Sequence, residues 1–195
     1  QVVTLSASDT LGNTSSGTAT ITVMDTIKPV VAAKNISVTL DATGSATIAA
    51  SDIDNGSMDA CGIQTMSASQ TIFDCTDTGA NTITLTVTDN NGNIETATAV
   101  VTVVDAMAPN LATQNITIYL DANGDATITP ADVDNGSTDN CGIVSSTLDI
   151  SVFDCADLGQ NLVILTATDA SNNSASKSTY VTVLDTTKPV LSALP

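Results

Sequence analysis

Thr82-Ile83-Thr84-Leu85-Thr86-Val87-Thr88-Asp89-Asn90-Asn91-Gly92-Asn93 is the stretch whose reading decides the fold. Ile83, Leu85 and Val87 alternate with threonines, the period of two that sends successive side chains to opposite faces of a β-strand. Asp89 to Asn93 then reverses the chain, because Asp and Asn bond their own backbone and Gly accepts positive φ. A last strand with Val101 and Val103 follows. Upstream, Ile36, Val38 and Leu40 alternate with Ser37 and Thr39, and Asp41-Ala-Thr-Gly44 turns the chain into Ala46-Thr-Ile48 as a hairpin. An Asp- and Gly-rich loop from Ser51 to Gly62, a strand from Ile63, another around Thr71 to Cys75 and a turn at Thr76 to Ala80 complete the pattern. About six or seven short strands in about 80 residues predict an immunoglobulin-like β-sandwich.

The same unit recurs. Asp25-Thr-Ile-Lys-Pro29, Asp105-Ala-Met-Ala-Pro109 and Asp185-Thr-Thr-Lys-Pro189 are spaced by 80, and residues 29–108 match 109–188 without a gap at 35 of 80 positions. Residues 1–28 read as the C-terminal hairpin of a preceding repeat, 29–108 and 109–188 as two full repeats, and 189–195 as the start of the next. The expected architecture is all-β, tandem immunoglobulin-like sandwiches with proline stiffening each junction. A lone hairpin is marginal in water, so residues 1–28 are expected to pack against the first full repeat or a neighbouring chain.

Of 195 residues, 21 are acidic and 4 basic, giving a net charge of −17. Glu95 is the sole Glu; every other acid is Asp. This excludes nucleic-acid binding and docking on anionic membranes, both of which need clustered Lys and Arg. Without His or Arg the chain lacks a ready general base near neutral pH and a bidentate anion clamp. It is expected not to be an enzyme, and no segment has the length of apolar sequence that direct membrane insertion as a helix requires. With aromatics at 2%, the cores must be small and aliphatic.

The run from Asn115-Ile-Thr-Ile-Tyr-Leu-Asp121 through Asp132-Val-Asp-Asn-Gly-Ser-Thr-Asp-Asn-Cys141-Gly-Ile, with Phe153-Asp-Cys155-Ala-Asp-Leu-Gly and Leu165-Thr-Ala-Thr-Asp169, resembles a known class. It is similar to the HYR-type, immunoglobulin-like tandem repeats of very large Bacteroidetes surface adhesins, the type IX secreted, SprB-like gliding-motility adhesins among them. The resemblance spans the chain and implies an extracellular, bacterial cell-surface setting, with a stalk or adhesive role in attachment or gliding. Its implied partners are neighbouring repeats, surface polysaccharide, or secretion and motility machinery. The final strand lacks the cysteine that many such repeats carry there.

Cys61, Cys75, Cys141 and Cys155 fall as two equivalent pairs, and their even placement predicts one disulfide per repeat, Cys61–Cys75 and Cys141–Cys155; buried free thiols are the alternative. Asp52, Asp54, Asn55 and Asp59 recur as Asp132, Asp134, Asn135 and Asp139 around an Asn-Gly turn. Carboxylates so spaced can converge on calcium, with Asp25, Asp89, Asp105, Asp169 and Asp185 as weaker candidates completing a shell between repeats. The competing reading is plain Asx turns. Asp77-Thr78-Gly79 matches the aspartic-protease triplet, but the second repeat has Asp157-Leu158-Gly159 there, so it reads as a turn. The leading functional expectation is a structural and adhesive repeat segment. The alternatives are a binding module whose loops contact a polysaccharide or surface, and accessory repeats of a secreted enzyme.

Overall fold

The computed structural model describes residues 1–189, so all but the first residue of the expected next repeat lies outside the described residues. Strands β1 (Val2–Ser8) and β2 (Thr14–Thr20) form an antiparallel hairpin closed by the Asp9–Asn13 turn. The first full repeat contains β3 (Ile36–Thr39), β4 (Ser45–Thr47), a one-turn helix α1 (Ala50–Ile53), β5 (Ile63–Ala68), β6 (Ile72–Asp74), β7 (Gly79–Asp89) and β8 (Ile94–Val104). The second repeats the series as β9 (Ile116–Tyr119), β10 (Ala126–Thr127), α2 (Pro130–Val133), β11 (Ile143–Leu148), β12 (Val152–Phe153), β13 (Gly159–Asp169) and β14 (Ser174–Leu184).

Each repeat has one four-stranded sheet, in the order β3-β8-β7-β5 or β11-β13-β14-β9, and one two-stranded sheet, β4-β6 or β10-β12. β9 runs parallel to β14, as a Greek-key strand returning to the far edge must, while β11, β13 and β14 are antiparallel. Isolated bridges, Val30 with Met58 and Asn110 with Thr138, tie each repeat's leading segment to its Asp-rich loop. The expected all-β, tandem immunoglobulin-like sandwich is the fold observed.

The period of two fixes the core. Ile83, Leu85 and Val87 are buried while the intervening threonines are not. In the second repeat Leu120, Ile128, Val133, Phe153, Val163, Leu165, Val181 and Val183 form one aliphatic cluster around a single ring. Packing divides the chain into two compact units, one of residues 1–36, 48–71 and 82–100, the other of 37–47, 72–81 and 101 onward. Their borders cut through the first repeat, and the second unit takes in the β4-β6 pair together with the whole second repeat.

Of the two expectations for the amino-terminal hairpin, packing against the first full repeat is not what the described residues show. Every residue of β1 and β2 is exposed; Leu5 is 79% exposed, whereas Leu85, at the same place in the first full repeat, is fully buried. Val3, Leu5, Ile21 and Val23 carry the pattern that faces a core in Ile83, Leu85, Val101 and Val103, and no second sheet covers them among the described residues. The alternation therefore forms the ladder but buries nothing.

Candidate functional site

The inward register of the long strands continues past the apolar residues. After Ile83, Leu85 and Val87 the next inward position is Asp89, and after Val101 and Val103 it is Asp105; in the second repeat Asp169 follows Val163, Leu165 and Ala167. These carboxylates are 0%, 5% and 1% exposed. Burying a charge is costly unless it is partnered. Asp89 Oδ1 accepts from the amides of Asn91 and Asn93, both at 2.8 Å, and Oδ2 accepts from Asn93 Nδ2 at 2.7 Å. Asp169 is held alike by Ser171 and Asn173. Burial works against the Asp89 charge, yet the Asn93 side chain and these amides hold its carboxyl below the ordinary range. Asn93 Nδ2 also donates to Ile27 O at 3.1 Å and Asn173 Nδ2 to Asp105 O at 3.1 Å, so each turn is bonded to the segment leading into its repeat.

Asp105, Asp139 and Asp169 bring carboxylate oxygens within 4.8 Å of one another. Asp105 Oδ1 accepts from Met107 N at 3.1 Å and Asn140 Nδ2 at 3.3 Å, and Asp139 Oδ1 from Cys141 N at 2.9 Å. Asp105 Oδ2, Asp139 Oδ2 and Asn140 Oδ1 are buried with no hydrogen-bond partner. Three close carboxylates, two of them with an orphaned oxygen, repel one another unless a cation sits among them. The donors are all oxygen, which suits a hard cation such as calcium, whose shell takes six to eight oxygens. The other unit holds a related group, Asp25, Asp59 and Cys61. Asp59 Oδ1 accepts from Cys61 N at 2.7 Å, and Asp25 Oδ2 is buried without a partner. The Cys61 thiol donates to Asp25, and that bond and the nearby charge push its pKa up.

This grouping keeps Asp25, Asp59, Asp105, Asp139 and Asp169 of the expected residues and leaves out Asp52, Asp54, Asp132 and Asp134. Asp52 Oδ2 accepts from Ala49 N at 2.7 Å and Asp132 Oδ2 from Thr129 N at 2.6 Å, as N-terminal caps of α1 and α2. Asp54 accepts from Gly56 N at 3.1 Å, Ser57 N at 3.0 Å and Ser57 Oγ at 2.5 Å; Asp134 accepts from Ser137 N and Oγ. Asn55 and Asn135 donate their amides to Ala32 O and Ala112 O. These are turn and cap roles. Asp59 and Asp139 instead join the junction aspartates, and Asp185 is exposed, accepting from Thr187 N at 2.8 Å. Asn140, absent from the expected set, is brought in by the loop that carries Asp139; the first repeat has Ala60 there, so the position does not recur between the repeats.

The disulfide pairing expected within each repeat is corrected. The bond joins Cys75 to Cys141, 66 residues apart, with Cα atoms 5.3 Å apart, and Cys61 and Cys155 are free and exposed. The two cysteines of a repeat serve different joints. Cys141 follows Asp139 at the joint before its repeat, whereas Cys155 lines a cleft with Asp185 at the joint after it. At the bonded joint Asn140 Nδ2 donates to Asp41 O at 3.1 Å, and Cys75 Sγ lies 3.4 Å from Asn140 O. Gly44 makes room: a Cβ there would stand 2.7 Å from Asn140 O and 2.8 Å from Cys75 Sγ.

No family model matches the chain, and no curated protein matches it. Among solved structures it is similar to extracellular cadherin domains 1–4 of protocadherin gamma B7, at 13% identity over 90% of this chain and 55% of that one, TM-score 0.40. It is also similar to domains 1–3 of protocadherin gamma C5, at 12% identity over 88% and 73%, TM-score 0.40. An endo-fucoidan hydrolase of glycoside hydrolase family 107 aligns at 15% identity over 80% and 34%, TM-score 0.28. The chain spans about half the length of the first of these. The strand order and cores described above, rather than these scores, define the fold.

Proposed function

We propose that the chain is a structural and adhesive segment of an extracellular tandem-repeat protein, its joint reinforced by a disulfide and by a bound calcium ion. The observation that carries this reading is the coincidence, at one joint, of Cys75–Cys141 with the orphaned oxygens of Asp105, Asp139 and Asn140. A disulfide persists in an oxidising compartment, and extracellular calcium supplies the charge that three carboxylates lack. The sequence resemblance supports the finer statement: a large bacterial cell-surface adhesin of the type IX secreted kind, serving attachment or gliding, with neighbouring repeats as its first partners. The role needs no catalytic step, which accords with a chain without His or Arg.

A segment that carries tension should resist extension in a redox-dependent way. In single-molecule pulling, the bond withholds the 66-residue loop from extension, roughly 220 Å at about 3.4 Å per residue. Reductant releases that length and calcium raises the unfolding force. Equal contour lengths with and without reductant would overturn the reading. Glycan arrays and surface-adhesion assays on the same chain separate a spacer, which binds nothing specifically, from a module whose loops hold a ligand.

A further inference from the structure

We infer that Cys155 and Cys61 each make, with another repeat of this type, a disulfide of the kind seen between Cys75 and Cys141, so that consecutive repeats are bonded in series. Cys155 has the local setting of Cys75. Each follows an Asp that caps a one-turn 3-10 helix, with Asp154 Oδ1 accepting from Ala156 N at 2.6 Å and Asp74 Oδ1 from Thr76 N at 2.8 Å. Each Sγ stands 3.8 Å from a glycine carbonyl, Gly124 O or Gly44 O, and a Cβ on either glycine would stand 2.8 Å from that sulfur. Cys61 has the setting of Cys141. Its amide donates to Asp59 Oδ1 as that of Cys141 does to Asp139 Oδ1, and the following glycine has φ of 93° in both.

The surroundings of Cys155 also have the shape the bond needs. Asp121, Gly124, Cys155, Asp185 and Lys188 line a cleft of about 440 Å³. At the equivalent place in the first repeat, Asp41, Gly44, Cys75 and Asp105 receive the Asp139-Asn140-Cys141-Gly142 loop, with Asn140 bonding both Asp41 O and Asp105 Oδ1. The occupant of the Cys155 cleft is therefore the same Asp-x-Cys-Gly loop of another repeat. Two thiols give up two protons and two electrons; an oxidised small-molecule disulfide such as oxidised glutathione accepts them and leaves as two thiols. The inference rests on the repeats forming an array, but its failure leaves the adhesive reading to its own pulling and adhesion tests.

The test takes the full chain and a version extended after Lys188 by a second copy of residues 109–188, that copy carrying Val144→Ile to mark its peptides. Both are oxidised with glutathione and mapped without reduction. The full chain, with four cysteines, is expected to keep two free thiols. The extended chain, with two more, should also keep two, with Cys155 bonded to the added copy's Cys141. Four free thiols, or a bond from Cys141 to Cys155 within one copy, overturns the inference. Cys155→Ala in the extended chain should leave the added copy's Cys141 free; its rerouting to the added copy's own Cys155 counts equally against the proposal.

Discussion

Replacing Cys75 by Ala removes the one disulfide among the described residues, and its cost follows from the loop it closes. For a separation of 66 the chain-entropy relation gives about 4.3 kcal/mol, against about 3 kcal/mol for the short loop of a bond within a repeat. At a urea slope of about 2 kcal/mol/M, the midpoint of the affected unit falls by about 2 M. Equilibrium urea unfolding followed by circular dichroism, with and without reductant, measures this. Wild type and Cys61→Ala or Cys155→Ala should share one midpoint and lose it in reductant, while Cys75→Ala and Cys141→Ala should start low and ignore reductant. The reasoning is refuted by the opposite grouping, in which Cys61→Ala or Cys155→Ala costs as much as Cys75→Ala, since only bonds within repeats produce that.

Three further outcomes follow from the geometry. Gly44→Ala places a methyl against Asn140 O and Cys75 Sγ at a φ of 73°, so it should slow Cys75–Cys141 formation on refolding and cost more than about 1 kcal/mol, read by thiol trapping and urea unfolding. Phe153→Ala empties the only ring from the second core and should cost about 3 to 5 kcal/mol, whereas Tyr119→Ala, more than half exposed, should change stability by less than about 1 kcal/mol. Asp41, Asp54, Asp121 and Asp132 are held below the ordinary carboxyl range by turn and cap hydrogen bonds from Thr43, Ser57, Asp125 and Thr129 respectively. Because a depressed folded pKa adds stability above the unfolded value, the melting temperature should be flat above about pH 5 and fall as pH drops below about 3.9. Asp41→Asn should make that fall shallower.

The period-two runs made the strands and core legible, and the 80-residue recurrence made the repeat legible, because both are written in local alternation. The same alternation carried a signal about the site. Asp89, Asp105 and Asp169 occupy inward-facing positions at the ends of apolar runs, which marks them above the exposed Asp52 and Asp132. Spacing along the loop instead favours Asp52 and Asp54, which accept from backbone and Ser57 donors that only the folded turn supplies. The disulfide was not legible for a related reason. Cys75 and Cys141 lie far apart in sequence and in different repeats, and sequence proximity favours the nearer partner, while the bond is decided by which loop reaches Gly44. The hairpin of residues 1–28 shows the converse: its alternation forms a ladder, but burial depends on an opposing sheet.

The most direct test is a calcium titration of the chelator-stripped chain by calorimetry, paired with thermal unfolding. The account predicts saturable binding that Asp105→Asn removes or weakens at least tenfold. It also predicts a rise in melting temperature of several degrees at calcium a hundredfold above the dissociation constant, where binding contributes about 2.7 kcal/mol. No heat of binding and an unchanged melting temperature would contradict it, leaving Asp105, Asp139 and Asp169 as close carboxylates without a cation.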